Sequence, residues 1–350
     1  MAMPEVDIII VATNQLEYTR QCVESIFANT RTPFRIIFID NASTDGTSEA
    51  LADLAKKCPS NGAIEVLRNA ENLGWTKGVN QGIRYSSARH VILSNNDVEV
   101  FPGAIEEMIA IADADPRAGI VNPSSNEFDI EKKNYAETVA LKGRKIELMH
   151  AAGFFMLVKR EVIDRVGLFD EVFSPGYFEE MDYSERARKA GFSVCVAEGA
   201  YVFHYGSRSF RPADKQRLWE RNEKVFYERW GTDARCGFVA NARILKDADF
   251  RKRITQALLD IIRGRKSYVY LFLPFGAKKY FKGIHRYLRP VEVPAGFRWL
   301  SLYMKAVRVP ARKKIDAIYF ADPSRLEFCG KLDFFKGVDL KMLPGFKDHE

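Results

Sequence analysis

The stretch Val91-Ile-Leu-Ser-Asn-Asn-Asp-Val-Glu-Val100 decides how this chain is read. Val91–Leu93 is an apolar run of the kind that buries itself in a sheet, and it delivers Asn95, Asn96 and Asp97 to the strand's carboxyl end. In open α/β sheets that edge is where ligands bind. An aspartate in a loop proves little alone. Three earlier runs that end in the same way give it weight.

Working back from it, Val6–Ala12 is an apolar run ending in Thr13-Asn14. Phe34–Ile39 ends in Asp40-Asn41-Ala-Ser-Thr-Asp-Gly46, and Ile64–Leu67 ends in Arg68-Asn69. Near-continuous β-branched runs read as parallel strands buried on both faces. Helical patterns over Leu16–Ala28, Ser48–Lys57 and Trp75–Tyr85 lie between them, which implies right-handed crossovers and a mostly parallel sheet flanked by helices. Thr47 and Ser48 have the residue types of a helix cap, whereas Asp40 is read as functional. Asn72-Leu-Gly-Trp-Thr-Lys-Gly-Val-Asn-Gln-Gly82 holds Gly74, Gly78 and Gly82 in or beside a helix, where each costs about 1 kcal/mol against Ala. Close approach of the backbone to a ligand or a neighbouring strand is the expected reason. No Gly-x-Gly-x-x-Gly fingerprint or Walker A loop follows a strand.

Beyond residue 100, Gly153–Lys159 reads as another buried strand. Pro175-Gly-Tyr-Phe-Glu-Glu-Met-Asp182 then places Glu179, Glu180 and Asp182 at a helix start. The helix dipole explains one or two acidic residues there. Clustered carboxylates also raise one another's pKa, which suits a general base. Ala200-Tyr-Val-Phe-His204 is a strand ending in histidine, more often a structural residue than a ligand, but here set against Asp97 at another strand's end.

Taken in order, these segments resemble an inverting family 2 glycosyltransferase with the GT-A fold. The matching pieces are Val11-Ala-Thr-Asn14, Ile39-Asp-Asn-Ala-Ser-Thr-Asp-Gly46, Asn72-Leu-Gly74 with Asn80, and Leu93-Ser-Asn-Asn-Asp-Val-Glu99. Gly153-Phe-Phe-Met-Leu-Val-Lys-Arg160, Gly167-Leu-Phe-Asp-Glu171, Tyr177-Phe-Glu-Glu-Met-Asp182 with Arg186 and Gly191, and Val202-Phe-His204 complete them. They cover roughly residues 6–210 and are most similar to the branch containing rhamnosyltransferases of bacterial surface polysaccharides.

The resemblance implies a divalent cation, Mn²⁺ or Mg²⁺, held by Asp97 and His204 against the charge that develops on a departing nucleoside diphosphate. Asn95 stands where the family usually has its first Asp, an amide in place of a charge. Thr13, Asn14 and Asp40 match positions around base and ribose. Arg68, Asn72, Gly74, Asn80, Asn95, Asn96 and Gly153 border the same nucleotide sugar. Glu180 matches the family's catalytic Asp, with Asp182 as runner-up and Glu179 beside them. The implied reaction is one displacement at the anomeric carbon, from a UDP- or dTDP-linked sugar to a hydroxyl of a glycan or lipid-linked saccharide, in cell-envelope polysaccharide biosynthesis. Arg208 and Arg211 are expected to reach the diphosphate, and residues 124–150 to line the acceptor side. The rivals are a nucleotidyltransferase, which would carry a Gly-rich basic loop where Thr13-Asn14-Gln15-Leu16 stands, and an inactive transferase-like binding protein.

Composition sets the compartment and the boundary. Hydrophobic residues make up 47% of the 350 and charged residues 28%, ordinary for a globular protein. No apolar run is long enough to span a bilayer, and Met1-Ala-Met-Pro-Glu-Val-Asp7 does not read as a signal peptide. Five scattered cysteines show neither metal spacing nor a disulfide framework, so a cytoplasmic location is expected. The net charge of +7 is uneven: from Arg251 onward about 22 basic and 9 acidic residues leave about −6 for the rest. We therefore expect a catalytic domain over 1–240 and a mainly helical, basic, aromatic-rich extension over 241–350. Its apolar run Tyr268–Phe275 and the clusters Lys278-Lys279-Tyr280-Phe281-Lys282 and Arg312-Lys313-Lys314 suit an anionic membrane surface on the inner face of the cell membrane. Packing on the catalytic domain or on a second subunit, as a homo-oligomer, is the alternative. No recognition motif for nucleic acid accompanies the charge.

Overall fold

A computed structural model describes residues 5–126, 134–206, 212–265, 267–294, 315–331, 338–344 and 346. Arg208, Arg211, residues 127–133 of the expected acceptor side and Arg312-Lys313-Lys314 lie outside these. The chain forms two compact units, Met1–Trp230 and Gly231–Glu350.

The first unit runs β1 (Val6–Ala12), α1 (Leu16–Asn29), β2 (Phe34–Asn41), α2 (Thr47–Lys56), β3 (Gly62–Asn69), α3 (Gly74–Tyr85), β4 (His90–Asn95) and β5 (Val98–Val100). It continues α4 (Ala104–Ala114), β6 (Ala118–Ser124), α5 (Tyr135–Val139), β7 (Lys145–Leu148), β8 (Phe155–Lys159), α6 (Arg160–Val166), α7 (Glu179–Lys189), β9 (Ser193–His204) and α8 (Pro212–Trp230). Nine strands form one sheet in the order β3-β2-β1-β4-β8-β6-β9-β5, with β7 beside β9. Strands β1 to β4 pair in parallel, and β8 enters antiparallel between β4 and β6. Because β6 and β9 run with β4, the ends of β1, β2, β3, β4 and β9 and the start of β8 all reach one edge.

Alternation along β1 shows why the runs are continuously apolar. Val6, Ile8 and Ile10 face a core with α1 and α4, while Ile9 and Val11 face a second core with Val79, Val162 and Tyr183. Both faces of the sheet are covered, so a polar side chain within these strands needs a buried partner, as Asp7 of β1 has in Arg35 of β2 at 2.9 Å. The glycines of α3 follow from the same closeness. A Cβ on Gly78 would lie 2.6 Å from Val11, and one on Gly82 would lie 2.4 Å from Ile9. We expect Gly82→Val to destabilise the domain by about 1–3 kcal/mol, the usual cost of forcing extra volume into a filled core. Urea unfolding measures it, and a stability equal to wild type would contradict this packing.

The second unit departs from the mainly helical extension. Its elements are β10 (Ala234–Val239), α9 (Arg243–Lys246), α10 (Ala248–Arg265), β11 (Ser267–Leu273), β12 (Leu288–Glu292), β13 (Ala317–Phe320), α11 (Pro323–Gly330) and β14 (Asp339–Met342). The five strands form a parallel sheet, β12-β11-β10-β13-β14. The apolar run at Tyr268 is its second strand, with Val269, Leu271, Phe272 and Leu273 buried. A short run rich in aromatic and branched residues satisfies a sheet interior as well as a helix or a membrane face, and here the sheet takes it. Since β10 belongs to this sheet, the units divide after Trp230, earlier than the boundary at 240 that composition suggests.

Candidate active site

At the common edge the backbone leaves ordinary conformations. Asn14, Gln15, Ala42, Tyr177 and Phe178 all have left-handed φ, between 59° and 77°. Such residues cost of order 1–3 kcal/mol each and persist where surrounding contacts impose them, often at functional sites. Asn14 and Gln15 turn the chain out of β1, Ala42 turns it out of β2, and Tyr177-Phe178 leads directly into Glu179-Glu180.

The loops after β1 and β2 are laced together. Asn14 N donates to Ser43 Oγ (2.8 Å), Thr44 N donates back to Asn14 Oδ1 (2.8 Å), and Thr13 Oγ1 donates to Asn41 O (3.2 Å). Asp40 is fully buried and accepts from Ser43 N (2.9 Å), Arg68 Nη1 (2.9 Å) and Ser48 Oγ. Burial opposes its charge, but the hydrogen bonds from Ser43 and Ser48 and the Arg68 guanidinium outweigh it and hold the carboxyl below its usual pKa. Thr13, Asn14, Asp40 and Arg68 thus form one charged, preorganised rim. Asn72, exposed, accepts from Gly74 N (2.9 Å), and Gly74 has a φ of +78° with Pro175 where a Cβ would stand. Trp75 N donates to Pro175 O (2.9 Å), which fastens this turn to the segment leading into α7.

Asp97 and His204 come together because β5 folds back on β9. Val98 pairs with His204, Tyr205 N donates to Asp97 O (2.9 Å), and His204 Nε2 stands 3.4 Å from Asp97 Oδ1. Asn126 clamps the His204 backbone from both sides, and the imidazole stacks on Phe154 with ring centres 4.9 Å apart. Among the described residues no third His, Cys, Asp or Glu joins the pair. Two protein donors suit a hard cation that draws its other oxygen ligands from water and substrate phosphates. Asn95, at the end of β4, holds its backbone to Phe154 O (2.9 Å).

Glu179 and Glu180 open α7. Glu179 is 6% exposed, and one carboxylate oxygen of each residue is buried with no hydrogen-bond partner among the described residues. Burial pushes both carboxyls up, Glu180 to about 7, and for Glu179 the neighbouring Glu180 charge adds to the effect. Ser184 Oγ donates to Glu180 O (2.6 Å) and accepts from Ala151 N (2.9 Å), tying the helix to the turn before β8. In that turn a Cβ on Gly153 would lie 3.9 Å from the Glu180 methylenes and 3.8 Å from the Trp75 ring. Adjacent residues therefore touch both halves of the chemistry: Gly153 adjoins Glu180, and Phe154 stacks on His204.

Three expected site residues are spent inside the fold instead. Asn80 uses its amide on Phe169 N, Phe169 O and Glu171, and so fixes α3 to the turn after α6. Asn96 is buried and donates to Thr19 Oγ1 of α1 (2.9 Å). Asp182 is 0% exposed and accepts from Arg186 Nε, Arg229 Nη1 and Trp230 Nε1, which leaves no oxygen for an acceptor hydroxyl. Two aromatic residues stand beside these groups: Phe154 stacks on His204, and the Trp75 ring and Glu180 both adjoin Gly153. Trp75 Nε1 is buried with no hydrogen-bond partner among the described residues. A shallow groove of about 420 Å³ lies apart, lined by Glu17, Arg20, Gln21 and Glu24 of α1 with Glu99, and includes none of these groups.

The mostly parallel sheet flanked by helices is the GT-A fold of nucleotide-sugar transferases. The fold agrees with the mannosyltransferase PcManGT from Pyrobaculum calidifontis, solved in complex with GDP-Man and Mn²⁺ (TM-score 0.50, 18% identity, 62% of this chain and 61% of that one). Residues 7–167 match the family model of glycosyl transferase family 2, and the first unit is a glycosyltransferase domain of that family. Protein y4gI of Sinorhizobium fredii is 27% identical over 255 residues, which span 65% of this chain but only 28% of that one. The N-acetylglucosaminyl-diphospho-decaprenol L-rhamnosyltransferase of Mycobacterium tuberculosis is 26% identical over 224 residues, 53% of this chain and 71% of that protein.

Proposed function

We propose that this protein is an inverting glycosyltransferase that moves a hexose from a UDP- or dTDP-linked donor to a hydroxyl of a glycan or lipid-linked saccharide in envelope polysaccharide synthesis. The observation that carries the reading is the Gly153-Phe154 step, which sets Glu180 and the Asp97–His204 pair on either side of one two-residue segment. The rhamnosyltransferase relative, whose name describes a saccharide-diphosphate-polyprenol substrate, supports the acceptor class. An acceptor of that kind would place the work at the cytoplasmic face of the membrane.

In this reading Thr13, Asn14 and Arg68 border the nucleoside, with buried Asp40 positioning Arg68 and the Ser43 loop, and Asp97 and His204 would hold a divalent cation, Mn²⁺ or Mg²⁺. That cation would neutralise charge on the diphosphate as it leaves. Glu180 takes the proton from the acceptor hydroxyl as its oxygen forms the new bond to the anomeric carbon on the face opposite the departing diphosphate. Burial raises both carboxyls and each like charge opposes the other, so the pair favours one shared negative charge, and Glu180 is the member beside Gly153. Gly153 keeps the space between Trp75 and Glu180 open.

Asp97→Ala is the direct test of the cation site. We expect donor-nucleotide affinity that rises with Mn²⁺ in the wild type and is insensitive to Mn²⁺ in the variant, measured by titration calorimetry. Equal Mn²⁺ dependence in both proteins would remove Asp97 from the cation site.

A further inference from the structure

We propose that the turn Pro274–Lys282 of the second unit is the element that docks this protein on an anionic lipid surface. This deepens the membrane location proposed above and does not depend on the transfer chemistry.

With the apolar run of β11 consumed by the sheet, what the turn leaves outside is specific. Phe275 is 64% exposed and Tyr280 40% exposed, while the intervening Ala277 and the following Phe281 are buried and pin the turn to its own unit. The backbone is held as well: Ala277 N donates to Pro274 O, Phe281 N and Lys282 N donate to Lys278 O, and Lys278 N donates to Glu292 Oε1 (2.9 Å). An exposed phenylalanine on a fixed turn is therefore not the by-product of a loose loop. Lys278, Lys279 and Lys282 are exposed around it. Tyr280 lies between two cations, with Arg251 4.3 Å and the Lys279 ammonium 5.1 Å from its ring centre. The neighbouring carboxylate of Glu292 is occupied by the Lys278 backbone.

Charge selects the partner. Residues 231–350 carry 25 basic and 12 acidic side chains, whereas residues 1–230 carry 28 and 34, so the excess positive charge resides in the unit that bears this turn. Rings with an apolar body beside lysines suit a headgroup layer: the ring enters the acyl boundary and the ammonium groups meet lipid phosphates. Each lysine near an anionic leaflet strengthens the attraction by about fivefold, and salt screens it. A nucleic acid would meet the same charge, but an exposed phenylalanine with lysines and no base-reading motif fits lipid better.

Flotation of the full chain with phosphatidylcholine vesicles, with and without phosphatidylglycerol, tests this without donor or acceptor. Wild type should float with the anionic vesicles at low salt and remain behind with phosphatidylcholine alone. Lys278→Glu with Lys279→Glu should lower partitioning more than tenfold, and Phe275→Ser should lower it while retaining the salt dependence. Circular dichroism and nucleotide binding should match wild type in both, since none of these residues belongs to the first unit. Failure of wild type to float, unchanged flotation of the charge-reversed protein, or binding to a single-stranded oligonucleotide in place of vesicles would overturn the proposal. Loss of flotation with intact sugar transfer would strike the docking turn alone, and the reverse would strike the reaction alone.

Discussion

Glu180→Gln is expected to lower sugar transfer by about 10²–10⁴-fold, the range a positioned general base contributes, with donor binding retained. The pH dependence of the wild type checks the same assignment independently. A base must be ionised to act, and burial pushes the Glu180 carboxyl up to about 7, so the rate should climb with pH and level off above roughly that value. Stability should move in the opposite direction. Below the ordinary value of 4.5 the carboxyl is protonated in folded and unfolded chains alike and costs nothing. Between 4.5 and about 7 the folded state binds the extra proton, so stability falls as pH rises, and the loss is complete above the folded pKa. A glutamine side chain cannot ionise. The variant should therefore match wild type well below pH 4.5 and exceed it at pH 8 by on the order of 3 kcal/mol, readable from urea unfolding at the two pH values. A Glu180→Gln variant that still transfers sugar at the wild-type rate would remove Glu180 from the chemistry. One that is less stable than wild type at pH 8 would remove the burial argument behind its raised pKa.

How far the sequence leads to this site depends on how far apart the interacting residues lie. The central strands of the first unit are legible because their interiors are apolar on both faces, and a strand's polar end is local to it, which is how Asp40 and Asp97 enter as candidates. The glycines of α3 are legible as close approach, though only coordinates show that Gly78 and Gly82 meet Val11 and Ile9 and that Gly74 meets Pro175. Asn80 and Asp182 mislead because what satisfies them lies far along the chain: Phe169 is 89 residues from Asn80, and Arg229 and Trp230 are 47 and 48 from Asp182. A polar residue beside a motif reads as a ligand contact until its distant partner is known. Trp75 and Phe154 fail in the other direction, as aromatic rings in apolar surroundings whose place beside Glu180 and His204 no periodicity reveals. In the second unit, strands β13 and β14 have four residues each, too short for alternation to separate strand from helix or loop.

Asp182→Ala should do to stability what Glu180→Gln does to rate. The carboxylate lies at the meeting of α7 and α8, and it accepts from Arg186 Nε at 2.8 Å, Arg229 Nη1 at 2.8 Å and Trp230 Nε1 at 2.9 Å. Removing it leaves two guanidinium groups and an indole N–H facing a void. Arg229 retains Asp170 at 2.8 Å, whereas Arg186 keeps its bond to Val166 O and its place over the Tyr183 ring but no carboxylate hydrogen bond among the described residues. The arginines left behind are partly open to solvent, so the loss is mainly that of the charge-assisted hydrogen bonds to one buried carboxylate, roughly 2–4 kcal/mol. That is a large part of the roughly 5–15 kcal/mol typical of a domain. The loss should show as a lower urea midpoint at unchanged slope. Asp182→Asn separates this structural role from a catalytic one, because an amide oxygen can still accept from Trp230 and one arginine while it cannot take a proton. For a residue that only binds α8 to α7, the Asn substitution should fall between wild type and Ala in stability and keep most of the transfer rate. An Asp182→Asn variant as stable as wild type but without transfer would return Asp182 to the chemistry and displace Glu180 as the base.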